Sequence, residues 1–147
     1  MLVTAQTGAL IVAGLNLLAG LSGGLLWWRV DPRRRWWLGL RGAQVAAAAY
    51  AVLAGVLYVA GYRPGNGLFW LYVLLPVPVA VVAEQLRLVS AQTVLDARGL
   101  EGAKAVGELP EDRQRSVVTA ILRREMGVMA LAALVVAFLA LRAYVET

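Results

Sequence analysis

The sequence predicts an all-α membrane protein: four transmembrane helices in an antiparallel bundle, with helices 3 and 4 extended into the cytoplasm as a short hairpin. Three observations predict it. The 147-residue chain is 61% hydrophobic and 16% charged, with a mean hydropathy of +0.70. Soluble domains hold about 45–50% apolar residues, and a soluble fold this apolar would lack the polar surface to cover its core. Four apolar windows each reach the roughly 20 residues that a helix needs to cross hydrocarbon at about 1.5 Å per residue. All but Arg63 and Arg142 of the fourteen Lys and Arg residues then fall on one side, the bias that membrane insertion imposes.

Length predicts one domain over residues 1–147. The chain has neither cysteine nor histidine. That removes disulfides, thiolate chemistry, the commonest zinc, copper and haem ligands and the commonest general base. No cofactor or metal is expected. The net charge of +5 reads as the topogenic bias, and nucleic acid is not an expected partner, because no basic face interleaved with exposed aromatics lies outside the apolar windows.

The first span covers about 4–28, apolar except for Gln6, Asn16 and a few hydroxyls. No positive charge precedes it, and it ends in Trp27, Trp28 and Arg29 instead of a small-residue cleavage site, so it reads as a span and not as a signal peptide. Gly20 and Gly24, one turn apart, open a face to close approach. Residues 29–35 follow, with Arg33, Arg34 and Arg35 flanked by tryptophan pairs on both shoulders. A basic loop between interfacial aromatics is expected in the cytoplasm, with its arginines among anionic lipid head groups.

The second span covers about 36–61. Gly39, Ala43, Ala47, Ala51 and Gly55 recur every fourth residue and predict a small-residue packing stripe. The turn that follows carries one charge, Arg63, and is expected outside. The third span, about 68–88, carries Pro76 and Pro78. Lacking an N–H, they leave the carbonyls of Tyr72 and Leu74 without their usual donors, so a kink is expected. Residues 75–79, LPVPV, resemble the kinked pore-lining helix of voltage-gated potassium channels, a resemblance of five residues. A TVGYG-like filter and a helix with arginine at every third position, which such channels need, are absent from the sequence.

Helix 3 is expected to run on past Glu84 into the cytoplasm and to stop at Arg98 and Gly99, a glycine free to take the left-handed cap. Pro110, Glu111 and Asp112 mark the start of the last helix, since proline loses no bond there and acids suit the positive end. Its span is about 126–144, which leaves residues 89–125 as the cytoplasmic hairpin. Both termini are expected outside the cell inner membrane.

Depth along the helices brings Arg41 and Gln44, Glu84 and Arg87, and Arg124 and Glu125 to one level, a candidate polar layer. A carboxylate beside hydrocarbon needs a cation, and Arg41 from another helix or Arg87 one turn along could supply it. A bridge that fixes helix register ranks ahead of a gate or an ion site. No catalytic constellation emerges: Glu111 and Asp112 are explained by a helix start, and the serines and threonines have no base nearby. The expected role is an interaction or accessory subunit, with a membrane-protein partner or further copies of the chain. The rival is a small oligomeric channel or transporter that uses the layer around Glu84 and Arg41.

Overall fold

A computed structural model describes residues 1–31 and 33–147, which form six helices and, among the described residues, no strand. They are α1 (Leu2–Arg29), α2 (Arg34–Val59), α3 (Leu68–Leu74), α4 (Pro76–Ala97), α5 (Ala103–Gly107) and α6 (Glu111–Val145). Four helical runs are long and apolar enough to cross a membrane: α1, α2, the run Leu68–Ala97 made by α3 and α4, and α6.

The longest helix, α6, is the hub. It packs against α1 on one flank and against α3 and α4 on the other, while α2 leans mainly on α1 and barely meets α4. Small side chains make this closeness attainable. On α6 the buried stripe includes Ala130, Ala133, Ala137, Ala140 and Ala143, and on α1 it includes Ala5, Ala9, Ala13, Ala19, Gly20 and Gly23. Steps of three and four keep such residues on one helical face, and their size brings two backbones into dispersion contact.

Helix α2 departs from the expected stripe. Its buried residues are Trp36, Leu40, Ala43, Ala47, Tyr50 and Ala54, spaced alternately four and three apart. Of the strict every-fourth series, Ala43 and Ala47 are buried and Ala51 packs against the core from its edge. Gly39 and Gly55 face open space, since a Cβ built on either would meet nothing within 4 Å. The reason is helical pitch: a step of four overshoots one turn by about 40°, so a series of fours spirals off any face, whereas alternating threes and fours stays on it.

Three side chains stitch α1 to α2 through backbone carbonyls. Tyr50 Oη donates to Ala5 O (2.9 Å), Asn16 Nδ2 to Ala43 O (3.3 Å) and Trp36 Nε1 to Ala19 O (2.9 Å). Both rings enter over glycines. A Cβ on Gly8 would lie 2.6 Å from the Tyr50 ring, and one on Gly23 would overlap the Trp36 ring. Helical side chains lean toward the N-terminus, so the residue three or four places on normally covers a given carbonyl. Gly8 stands three after Ala5 and Gly23 four after Ala19, and each leaves the carbonyl open to a second donor. Trp36, expected in an interfacial belt, is thus a buried packing residue at 7% exposure, unlike Trp28 at 77%.

The helix ends follow from local chemistry. At Gly99 φ is +65°, Gly99 N donates to Asp96 O (3.1 Å) and Leu100 N to Leu95 O (3.0 Å), which closes α4 with a Schellman motif. Helix α1 closes the same way with Val30 at φ 55°, a conformation that a β-branched side chain resists. The two prolines interrupt the third run at Leu75, between α3 and α4. There Leu75 N still donates to Leu71 O (2.9 Å) and Val79 N to Leu75 O (3.1 Å). Beyond it, α4 and α6 pack on each other, burying Ser90, Val94 and Val117, with Arg98 Nη1 donating to Ser116 Oγ (3.0 Å) and α5 between them in the chain.

Candidate functional site

The site begins with two pairs of residues spaced three apart, a spacing that puts each pair on one helical face. Helix α2 presents Arg41 and Gln44, and α4 presents Glu84 and Arg87. Arg41 Nη1 donates to Gln44 Oε1 (2.7 Å) and also to Glu84 Oε1. Arg87 Nε stands 3.1 Å from Glu84 Oε2, near enough for an ion pair but out of line for a hydrogen bond, and its guanidinium lies over the Trp37 ring at 5.6 Å. One carboxylate is therefore held between guanidinia from two helices, and Gln44 fixes the direction from which Arg41 approaches.

Helix α6 contributes only half of what the sequence suggested. Glu125 is half-buried and close enough to feel the charges of Arg87 and Glu84, so two acids stand beside two cations. Its neighbour Arg124, about 100° further round the helix, lies instead in a groove between α1 and α6. Among the described residues no group of three acids, histidines or cysteines converges, so the layer presents no metal-ligand set.

The layer closes one end of a cleft. Because α2 and α4 barely touch, a cavity of about 190 Å³ remains between them, with Asn16 and Val136 as its floor and Gln44, Ala47, Pro76 and Ala80 among its walls. At the far end Tyr58 of α2 meets Trp70 of α3 edge to face at 5.2 Å, and Tyr62 meets Phe69 at 6.1 Å. Asn16 is 1% exposed, its amide donating to Val12 O (3.0 Å) as well as Ala43 O. The cavity has room for roughly six waters at about 30 Å³ each. It falls short of the roughly 300 Å³ at which small-molecule sites begin.

The sequence named Arg41, Gln44, Glu84 and Arg87 as one level, and the structure brings these four side chains into one cluster. It takes Pro76 into the cleft wall and leaves Pro78 on the opposite side, in a groove between α4 and α6. Tyr50 and Trp36 were not singled out as site or packing residues. Their signal lay in the glycines at Gly8 and Gly23, each a hole of the size an aromatic ring of the next helix fills. No protein-family model, curated protein or solved structure matches this chain.

Proposed function

We propose that the chain is a single-domain, multi-pass protein of the cell inner membrane, an antiparallel four-helix bundle that serves as an interaction or accessory subunit of a membrane assembly. Both termini are outside, and residues 29–35 and 89–125 are cytoplasmic. The contacts of Ala5 with Tyr50 and of Ala19 with Trp36 support opposite directions for α1 and α2. The orientation rests on the arginine bias, and Arg33, Arg34 and Arg35 then meet anionic head groups. No catalytic role is part of this reading.

The observation that carries the interaction role is the open seam between α2 and α4. In the most apolar windows of α2 and of Leu68–Ala97 only 22% of the residues are buried, against 39% in α1 and 44% in α6. The uncovered side of α2 bears Val45, Val52, Val56 and Val59, at 59–87% exposure, along one face. A cleft too small for a substrate and walled by alanines suits the side chains of a packing helix. The Arg41–Glu84 bridge is then structural and holds the two sides of the seam in register.

The chain has no cysteine, so one introduced at Ala48, on the cleft wall, is unique. In native membranes a short reagent with one thiol-reactive and one photoreactive end, attached there and irradiated, is expected to yield one discrete adduct, either a second copy or a single partner. A protein that stays monomeric and uncrosslinked rejects the interaction role. The small channel or transporter remains the second reading because Asn16, Gln44 and Glu84 line up from the cleft floor to the bridge. It requires oligomers and a proton or cation flux in liposomes that Glu84→Gln abolishes.

A further inference from the structure

Two apolar grooves flank α6 at the end where Arg123 and Arg124 stand. One, of about 380 Å³, runs between α4 and α6, and the other, of about 400 Å³, between α1 and α6. They share Val128 and Leu131, so these two side chains form the ridge that divides them. Arg124, one turn before Val128, lines the mouth of the second groove. Among the described residues neither Arg123 nor Arg124 makes an ion pair, while five other arginines do. Trp27 builds the wall at the same level, with Arg123 over its ring at 5.3 Å and Gly127 against its indole.

We propose that this ridge seats one anionic phospholipid of the cytoplasmic leaflet, its phosphate on Arg124 with Arg123 beside it and one acyl chain in each groove. The proposal rests on the membrane reading above. Its dimensions follow from the helix: from Arg124 to Leu134, the last α6 residue of the α1 groove, ten residues rise about 15 Å. That is half of the roughly 30 Å hydrocarbon and so the depth of one leaflet. Two chains meeting at one head group match two grooves meeting at one ridge. The unpaired guanidinium supplies the charge complement, as basic pockets between membrane helices do for anionic head groups. Gly24 leaves the α1 groove open, since a Cβ there would meet nothing within 4 Å.

That opening supplies the decisive variant. Gly24→Leu, whose Cβ meets nothing within 4 Å, puts a branched side chain into the groove and leaves every charge in place, whereas Arg124→Gln removes the charge and leaves the groove. The full chain, purified in mild detergent, is offered equal amounts of phosphatidylglycerol and phosphatidylcholine with matched chains, and the retained lipid is read by native mass spectrometry. The wild type is expected to retain the anionic lipid about fivefold over the zwitterionic one, the preference that one well-placed arginine supplies. Each variant is expected to lose that preference while keeping its thermal unfolding midpoint.

A Gly24→Leu protein with wild-type preference overturns the proposal, because attraction to a diffuse basic surface would survive filling the groove. A wild type without preference overturns it too, as does a dimer that excludes lipid from the ridge. Flotation with pure phosphatidylcholine vesicles separates the two levels. A chain that fails to float refutes the membrane reading, and one that floats without preference refutes the lipid site alone.

Discussion

Glu84 lies between Arg41 and Arg87, and the two cations are not equivalent. Arg87 belongs to the same helix and stays near Glu84 whatever α2 does, while Arg41 reaches it across the open seam. Arg41→Gln therefore leaves the carboxylate one partner, but Glu84→Gln leaves two guanidinia facing each other without an anion between them. The second change is expected to destabilise more. The double variant should lose less than the sum, with a coupling of about 0.5–3 kcal/mol in detergent unfolding. Additive losses with unchanged flux would reduce Glu84 to a solvated interfacial charge. The level of these residues could be counted from the sequence, since rise per residue is fixed. Rotation about the axis could not, because it depends on which neighbour each helix chooses, and this is what sends Arg124 into the α6 groove while Glu125 stays with the layer. A second residue-scale expectation concerns Val30, which at φ 55° holds a conformation that disfavours a Cβ by about 1–2 kcal/mol. Val30→Gly should raise the unfolding midpoint; an unchanged or lower midpoint would mean that packing of the valine outweighs its strain.

Between α1 and α2 the glycines decide the contact. Gly23→Ala would push the Trp36 ring away from Ala19 O, losing a buried hydrogen bond and a fitted surface together. The expected destabilisation is about 1–3 kcal/mol. Trp36→Phe removes both the donor and the indole atoms, Cζ2 and Cε2, that fill the hole at Gly23, and should destabilise by at least as much. On α2, Ala47→Leu should overfill the buried face, while Val52→Leu, at a position 68% exposed, should be tolerated. Equal unfolding midpoints for the Ala47 and Val52 variants would mean that the small residues are compositional only. The helices themselves were legible as long apolar windows, and the stop signal at Gly99 and the start signal at Pro110 were legible because capping is local chemistry. The partner face of α2 was not. Period alone offers several faces, and the choice among Gly39, Leu40 and Ala43 was made by Trp36 and Tyr50 finding holes in α1.

For the molecule as a whole, direction across the bilayer governs every depth in the interaction and lipid proposals. In the proposed topology, Arg29, Arg33, Arg34 and Arg35 in one connection, and Lys104, Arg113 and Arg115 in another, assign both to the side that retains cations during insertion. The turn at 60–67 holds Arg63 alone, whose guanidinium lies over the Tyr58 ring at 4.2 Å and donates to Tyr58 O (2.8 Å), so this single charge is held down by its own helix end. Asn66 and Lys104 are both exposed and lie in opposite classes of connection. Single cysteines at the two positions, treated on intact cells with a membrane-impermeant thiol reagent, should therefore differ: position 66 labels at once, and position 104 labels only after the membrane is opened. The reverse pattern would turn the bundle over. Glu84, Arg41 and Arg124 would then face the outer leaflet, and the cytoplasmic lipid site would fall with the orientation. Equal labelling of both positions in sealed cells would refute membrane insertion of this topology altogether.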